Sequence, residues 1–151
     1  MTSSRRADRT TSAPKWNHLI LYDGVCCLCN RMIQFVMRQD RAQVFRFASL
    51  QSRLGQSLTG RQGKSPGKLD TVMVIANYGS SSARLLSKAS AGLFVLQTLG
   101  GAWRLAGVLR VLPDRLLDWF YDLIARYRYR IFGRYESCPV PTPEQRSRFL
   151  D

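Results

Sequence analysis

The chain has little acid to set against its base. Ten Asp and Glu face 23 Lys and Arg, a formal net charge of +13 over 151 residues. Histidine is nearly absent, with His18 alone, and the cysteines number four: Cys26, Cys27, Cys29 and Cys138. A closed zinc site wants four ligands, usually two Cys-x-x-Cys pairs or cysteines with histidines. The sequence has no second pair, so Cys26, Cys29, Cys138 and either His18 or Cys27 would all have to converge. No metal and no other cofactor is expected. Long apolar runs are also missing. The most apolar stretch, Leu93 to Leu112, is broken by Gln97, Gly100, Gly101, Arg104 and Arg110. A spanning helix needs about 20 nearly uncharged residues, so two short helices are expected and no transmembrane segment. Residues 1–16 carry Ser, Thr and Arg without the apolar core of a secretory signal. Asp8 and the lack of an apolar face argue against a transit peptide, leaving a disordered basic tail as the expectation. No run of five like charges occurs, and the arginines are scattered over every segment. They read as the surface charge of a basic soluble protein, with weak, salt-sensitive contact to polyanions and no specific nucleic acid as partner.

What is present fits one domain with a real core, since 45% of the residues are hydrophobic. Leu19-Ile20-Leu21-Tyr22 is a short apolar run ending at Asp23-Gly24, the pattern of a buried strand entering a turn. From Cys26 to about Gln39 the period becomes helical. Leu28, Met32 and Phe35 form one apolar row, Cys29, Ile33 and Val36 the adjoining one, with Asn30, Gln34 and Arg38 opposite. Val44-Phe45-Arg46-Phe47 reads as a second strand. Strand, helix, strand implies a parallel pair joined by a right-handed crossover. Residues 50–62 suggest a short helix and Gly63 to Gly67 a loop. Val72 to Ile75 reads as a strand, with Ala83 to Leu86 returning antiparallel across a turn at 77–81. Ser87 is placed to cap a helix ended by Gly100-Gly101. Residues 102–111 suggest a further helix, and Pro113-Asp114 opens a third. Its apolar row is Leu116, Phe120, Leu123, Ile124 and Tyr127, with Arg126, Arg128 and Arg130 near the C-terminal end, where cations are favoured. Tyr127 and Tyr129 are read as core-packing aromatics. Thr142-Pro143-Glu144-Gln145 fits a capping box opening a short terminal helix.

The chemistry is concentrated in Cys26-Cys27-Leu28-Cys29. Three cysteines within four residues staple a fold poorly, and suit redox or metal chemistry in a reducing compartment, here the cytoplasm. Cys26 and Cys29, spaced i, i+3 at a helix start, lie on one face within reach of a disulfide. Free N–H groups and the positive dipole end stabilise a thiolate there, and the thiolate is the attacking species in exchange. Cys26, the outer thiol, is expected to be more exposed and more acidic, with Cys29 buried one turn deeper as the resolving thiol. Asp23 either orders the turn or moves a proton to and from a thiol. His18 is read as structural or surface, and Cys27 as a small apolar filler.

The segment Leu21-Tyr22-Asp23-Gly24-Val25-Cys26-Cys27-Leu28-Cys29-Asn30 resembles the opening motif of the DCC family of predicted thiol-disulfide oxidoreductases. The family takes its name from an Asp and two Cys in the pattern D-x-x-C-x-x-C, here Asp23, Cys26 and Cys29. The resemblance continues through Phe45-Arg46-Phe47-Ala48-Ser49-Leu50-Gln51-Ser52 and resumes in Arg128-Tyr129-Arg130-Ile131-Phe132-Gly133-Arg134, with Cys138 beyond. It implies an α/β, thioredoxin-like fold: a four-stranded mixed sheet with flanking helices over 17–151 and a helical C-terminal extension from about 102. Ordinary thioredoxins carry a cis-proline before the strand facing the active site. Here Asp70-Thr71-Val72 stands in that place, which puts Thr71 opposite the cysteines.

These readings make the chain a protein-disulfide oxidoreductase acting on protein or small-molecule disulfides and dithiols. A thiolate metal-binding module, and a basic module for nucleic acid or membrane surfaces, are the alternatives. Cys138 is read as a buried structural thiol, its alternative being a second redox partner for Cys26.

Overall fold

A computed structural model describes residues 16–60, 72–133 and 142–150. The elements are β1 (His18–Tyr22), α1 (Cys27–Gln39), β2 (Phe45–Ser49), α2 (Arg53–Gly60), β3 (Met73–Ala76), β4 (Arg84–Ser87), α3 (Lys88–Leu99), a 3-10 helix (Gly101–Val111), α4 (Asp114–Ile131) and a closing 3-10 turn (Arg146–Arg148). Most of the expected basic tail, the loop at 63–67, Thr71 and Cys138 lie outside the described residues.

The sheet order is β2-β1-β3-β4. β1 pairs parallel with β2 and antiparallel with β3, and β3 pairs antiparallel with β4. This is the strand arrangement of a thioredoxin-like fold, with helical structure occupying the C-terminal region. The apolar run at 19–22 follows from β1's central place, because both faces of the sheet are covered. Ile20 and Tyr22 pack toward α1 and α3 with Phe45, Phe47 and Val74. Leu19 and Leu21 point the other way, toward α2 with Ala48, Leu50 and Met73. Burying each such side chain stabilises the fold by about 1.5–3 kcal/mol. His18 sits half-buried at the head of β1, where its Nδ1 accepts the Asn77 N–H at 3.2 Å. Its ring lies against Phe45 and Phe94, and burial lowers its pKa.

Three helices differ from expectation. Residues 101–111 form a 3-10 helix with no buried residue, and Ser87 stands at the N-cap of α3 without a side-chain cap hydrogen bond. α4 is rotated against its sequence pattern. Its apolar row points to solvent, with Leu116, Phe120, Leu123, Ile124 and Tyr127 all exposed, so Tyr127 does not pack in the core. The face carrying Tyr121, Ala125, Arg128 and Tyr129 turns inward instead, and Arg128 is buried. The reason is polar: a buried carboxylate beneath α4 requires a cation, as described below.

The C-terminal residues return to β2. The Gln145 side chain accepts the Thr142 N–H at 3.4 Å, the back-bond of the expected capping box, but only one 3-10 turn follows. Arg148 then pairs with the buried Asp40 and donates to the carbonyls of Met37 and Phe45, each at 3.3 Å. Asp40, capping the end of α1, accepts the N–H groups of Val44 and Phe45, both at 3.1 Å. The Leu150 N–H donates to the Phe47 carbonyl at 2.9 Å, continuing the ladder as a parallel bridge between Phe47 and Phe149.

Candidate active site

β1 delivers Asp23 to the sheet's C-terminal end, and the chain turns there into α1. The Asp23 carboxylate accepts the Val25 N–H at 3.1 Å, and its carbonyl accepts the Cys26 N–H at 3.3 Å. The loop is tied to the end of β2 through Gln51, which accepts the Gly24 N–H at 3.0 Å and donates to Asp23 at 2.8 Å. Ser49 in turn donates to Gln51. From the helix side, the Asn30 amide donates to the carbonyls of Gly24 at 2.8 Å and Cys26 at 2.9 Å. The turn carrying the dithiol is therefore held from both flanks.

Cys26 is the N-cap of α1, in extended conformation (φ −81°, ψ 120°), and its Sγ accepts the Cys29 N–H at 3.4 Å. A sulfur in that position meets the orphan donors and the positive end of the helix. The expectation that Cys26 is the exposed thiol is not met: Cys26 is 0% and Cys29 4% exposed. The N-cap position, rather than the first helical turn, folds the Cys26 sulfur under the loop. Cys27 is half-buried instead, with its N–H 3.5 Å from the Gly133 carbonyl. Gly133 follows α4 at φ +83°, a conformation glycine adopts without strain. A Cβ there would lie 3.9 Å from the Cys27 sulfur.

Beneath the dithiol lies a polar knot that spans the chain. Arg128 reaches from α4 to pair with Asp23 at 3.2 Å, with side chains 3% and 5% exposed. Its other terminal nitrogen approaches the Cys29 Sγ at 3.8 Å. Tyr129 donates its hydroxyl to the same Asp23 carboxylate and accepts from Arg128 at 3.0 Å, while the guanidinium lies 4.7 Å from its ring centre. Burial, with the hydrogen bond to Asp23, pushes the Tyr129 phenol up to about 12, so it remains a donor. Burial first, then Cys26 as hydrogen-bond partner and neighbouring charge, pushes the Cys29 thiol up to about 12, with Arg128 pulling the other way.

Residues 20–134 match the DCC1-like thiol-disulfide oxidoreductase family. The chain belongs to that family. It is similar to the uncharacterized protein YuxK of Bacillus subtilis (strain 168), 35% identical over 134 residues that cover 89% of this chain and 94% of the relative. It also resembles a DCC family protein of Arabidopsis thaliana described as chloroplastic, 35% identical over 123 residues covering 81% and 69%. No solved structure matches it. Membership of the DCC1-like family supports a thiol-disulfide function.

The structure places Asp23, Cys26 and Cys29 at one turn, with Asp23 ordering that turn and also binding α4. Arg128 and Tyr129 join the site from the far end of the chain. Their signal was indirect, since a carboxylate at the end of a buried strand requires a cation, and nothing local identifies which of many arginines supplies it. Beside Cys29 opens a cavity of about 340 Å³ between α1, α3 and α4. Leu28, Met32, Val95 and Ile124 give it apolar walls, and Cys29 and Arg128 stand at its polar end. Among the described residues no cluster of His, Cys, Asp and Glu could hold a metal ion. Cys138, which the zinc alternative needed, is not among them.

Proposed function

We propose that this DCC1-like chain is a dithiol oxidoreductase in which Cys26 attacks and Cys29 resolves. The observation that carries this reading is the Cys26 sulfur at the N-cap of α1, accepting the N–H of Cys29 one turn on. Cys26 is buried under its loop, so the step requires that loop to move aside; the Cys26 thiolate then attacks one sulfur of a substrate disulfide, forming a mixed disulfide and expelling the other half as a thiolate. Cys29 then gives up its proton and attacks the Cys26 sulfur. The Cys26–Cys29 disulfide forms, the substrate's second sulfur leaves, and the substrate has gained two electrons. The elevated pKa of Cys29 holds it as a thiol until that second step. Arg128, 3.8 Å from its sulfur, supplies charge for the thiolate that then forms. Asp23 is a positioning residue, holding Arg128 and Tyr129 while ordering the loop. Substrates are protein or small-molecule disulfides and dithiols, and the crowded thiols suit a reducing compartment such as the cytoplasm.

Insulin reduction with dithiothreitol, run beside the Cys26→Ser variant, tests the reading. Turnover that disappears in Cys26→Ser, with a trapped mixed disulfide in Cys29→Ser, is the expected result. Equal turnover in wild type and Cys26→Ser overturns it.

A further inference from the structure

Among the described residues, all of the exposed large apolar side chains lie between Trp103 and Phe132. They include Trp103, Leu105, Val108 and Val111 from the 3-10 helix, and Leu116, Trp119, Phe120, Leu123, Ile124, Tyr127 and Ile131 from α4. The stretch is contiguous in sequence, and within it α4 carries the larger share on one helix, where single exposed apolar residues would be ordinary. α4 is amphipathic, yet it turns its apolar stripe away from the domain. At about 3.6 residues per turn, Leu116, Phe120, Leu123, Ile124, Tyr127 and Ile131 share one side of the helix. Arg115, Arg126 and Arg130 fall along one border of that stripe with Trp119, and all three arginines are exposed. The acid on that border, Asp122, is held by Lys88 at 3.1 Å.

We propose that this face docks on an anionic lipid surface, with α4 lying in the plane of the interface. The reasons are compositional and electrostatic. An interfacial helix carries Trp, Phe and Leu on one side and arginines beside them, whose stems lie along the apolar layer while their heads meet phosphate. α4 has that pattern, and no helix among the described residues is long and apolar enough to cross a membrane. The chain's own remaining residues are a poor cover. Residues 1–15, 61–71 and 134–141 supply only Met1, Leu69, Tyr135 and Val140 as large apolar side chains. A second copy would bring the same arginine border and a second net charge of +13 to the contact. An anionic surface meets that charge with its opposite. Ile124 belongs both to the stripe and to the cavity wall beside Cys29, so docking sets the cavity mouth at the lipid boundary.

The test is sedimentation of the full chain with vesicles of phosphatidylglycerol and phosphatidylcholine in equal parts, against phosphatidylcholine alone, at physiological salt. The expected result is binding at least tenfold tighter to the anionic vesicles. In the Trp16→Phe, Trp103→Phe variant Trp119 is the remaining tryptophan, since Trp16 sits elsewhere, stacked on Tyr78, and Trp103 lies against Phe35. The emission of Trp119 should shift to the blue on binding and be quenched by brominated acyl chains. Trp119→Asp with Phe120→Asp, both at solvent-facing positions, should cut binding at least tenfold while circular dichroism stays unchanged. Equal affinity for the two vesicles, no binding to either, or full binding by the double variant overturns the proposal. So does a lipid-free dimer in sedimentation equilibrium that the same two substitutions dissociate, which would assign the face to a second copy.

Discussion

Asp23 is the residue on which the dithiol and the C-terminal helix both depend. Its carboxylate is buried and would be costly there alone, but Arg128, Tyr129, Gln51 and the Val25 N–H all meet it. Removing one member of a buried ion pair leaves the other as an uncompensated charge, at about 3–5 kcal/mol. Arg128→Ala is therefore expected to lose about that much in urea unfolding, and Tyr129→Phe about 1.5–3 kcal/mol, the range for a hydrogen bond to a charged group. A surface-like loss below about 1 kcal/mol in Arg128→Ala would show that the pair is not formed. The same arginine acts on Cys29, whose thiol is pushed to about 12 chiefly by burial. A raised acid pKa means that the folded state favours the protonated form. The stability Cys29 contributes is thus complete below about pH 9, the ordinary thiol value, and is lost as pH rises toward about 12. Alkylation of the reduced protein, followed residue by residue by mass mapping, should leave Cys29 slow through pH 9 and speed up only above it. Rapid Cys29 labelling at pH 7 would contradict the assignment.

At the scale of elements, α2 packs on the end of β2 at a distance that only glycine permits. A Cβ on Gly55 would stand 2.2 Å from the Ser49 carbonyl oxygen and 2.9 Å from the Leu50 Cα, both backbone atoms with little room to move. Gly55→Ala should cost more than the 1–3 kcal/mol usual for overpacking, read as a lowered thermal midpoint. An unchanged midpoint would mean that α2 can slide away. Neither that contact nor α2 itself was more than a polar stretch with helical character in the sequence. β1 and β3 were legible because strands covered on both faces must be continuously apolar, and Leu19 to Tyr22 and Val72 to Ile75 are. α1 was legible because its period and its strand-to-helix junction agree. α4 was legible as a helix but not in its rotation, since an apolar stripe ordinarily marks the buried side. Here the buried side carries an ion pair between residues 105 apart in sequence, which no local pattern encodes. The burial of Cys26 escaped for a related reason. Cap geometry, one residue before the helix, decides where its sulfur points.

At the scale of the whole molecule, residues 148–150 cover one side of the sheet. β2 is an outer strand of the sheet, and its far side carries the Phe47–Phe149 bridge, the Leu150 N–H bond to Phe47, and the Arg148 clamp on Asp40. An uncovered outer strand is a template: its free N–H and C=O groups pair with any extended chain that meets them, including another molecule of the same protein. The closing segment occupies that template from within. A chain shortened at residue 145 is expected to lose the Arg148–Asp40 pair, about 3–5 kcal/mol, and to leave Phe47 without its bridge to Phe149. Its failure should then grow with concentration, as light scattering that rises on gentle heating well before the sheet melts, whereas the intact chain stays clear to its midpoint. Shortened chains that remained clear at high concentration would show that β2 is protected by its own twist. The few residues after Gln145 would on this account serve less to hold one molecule together than to keep separate molecules apart.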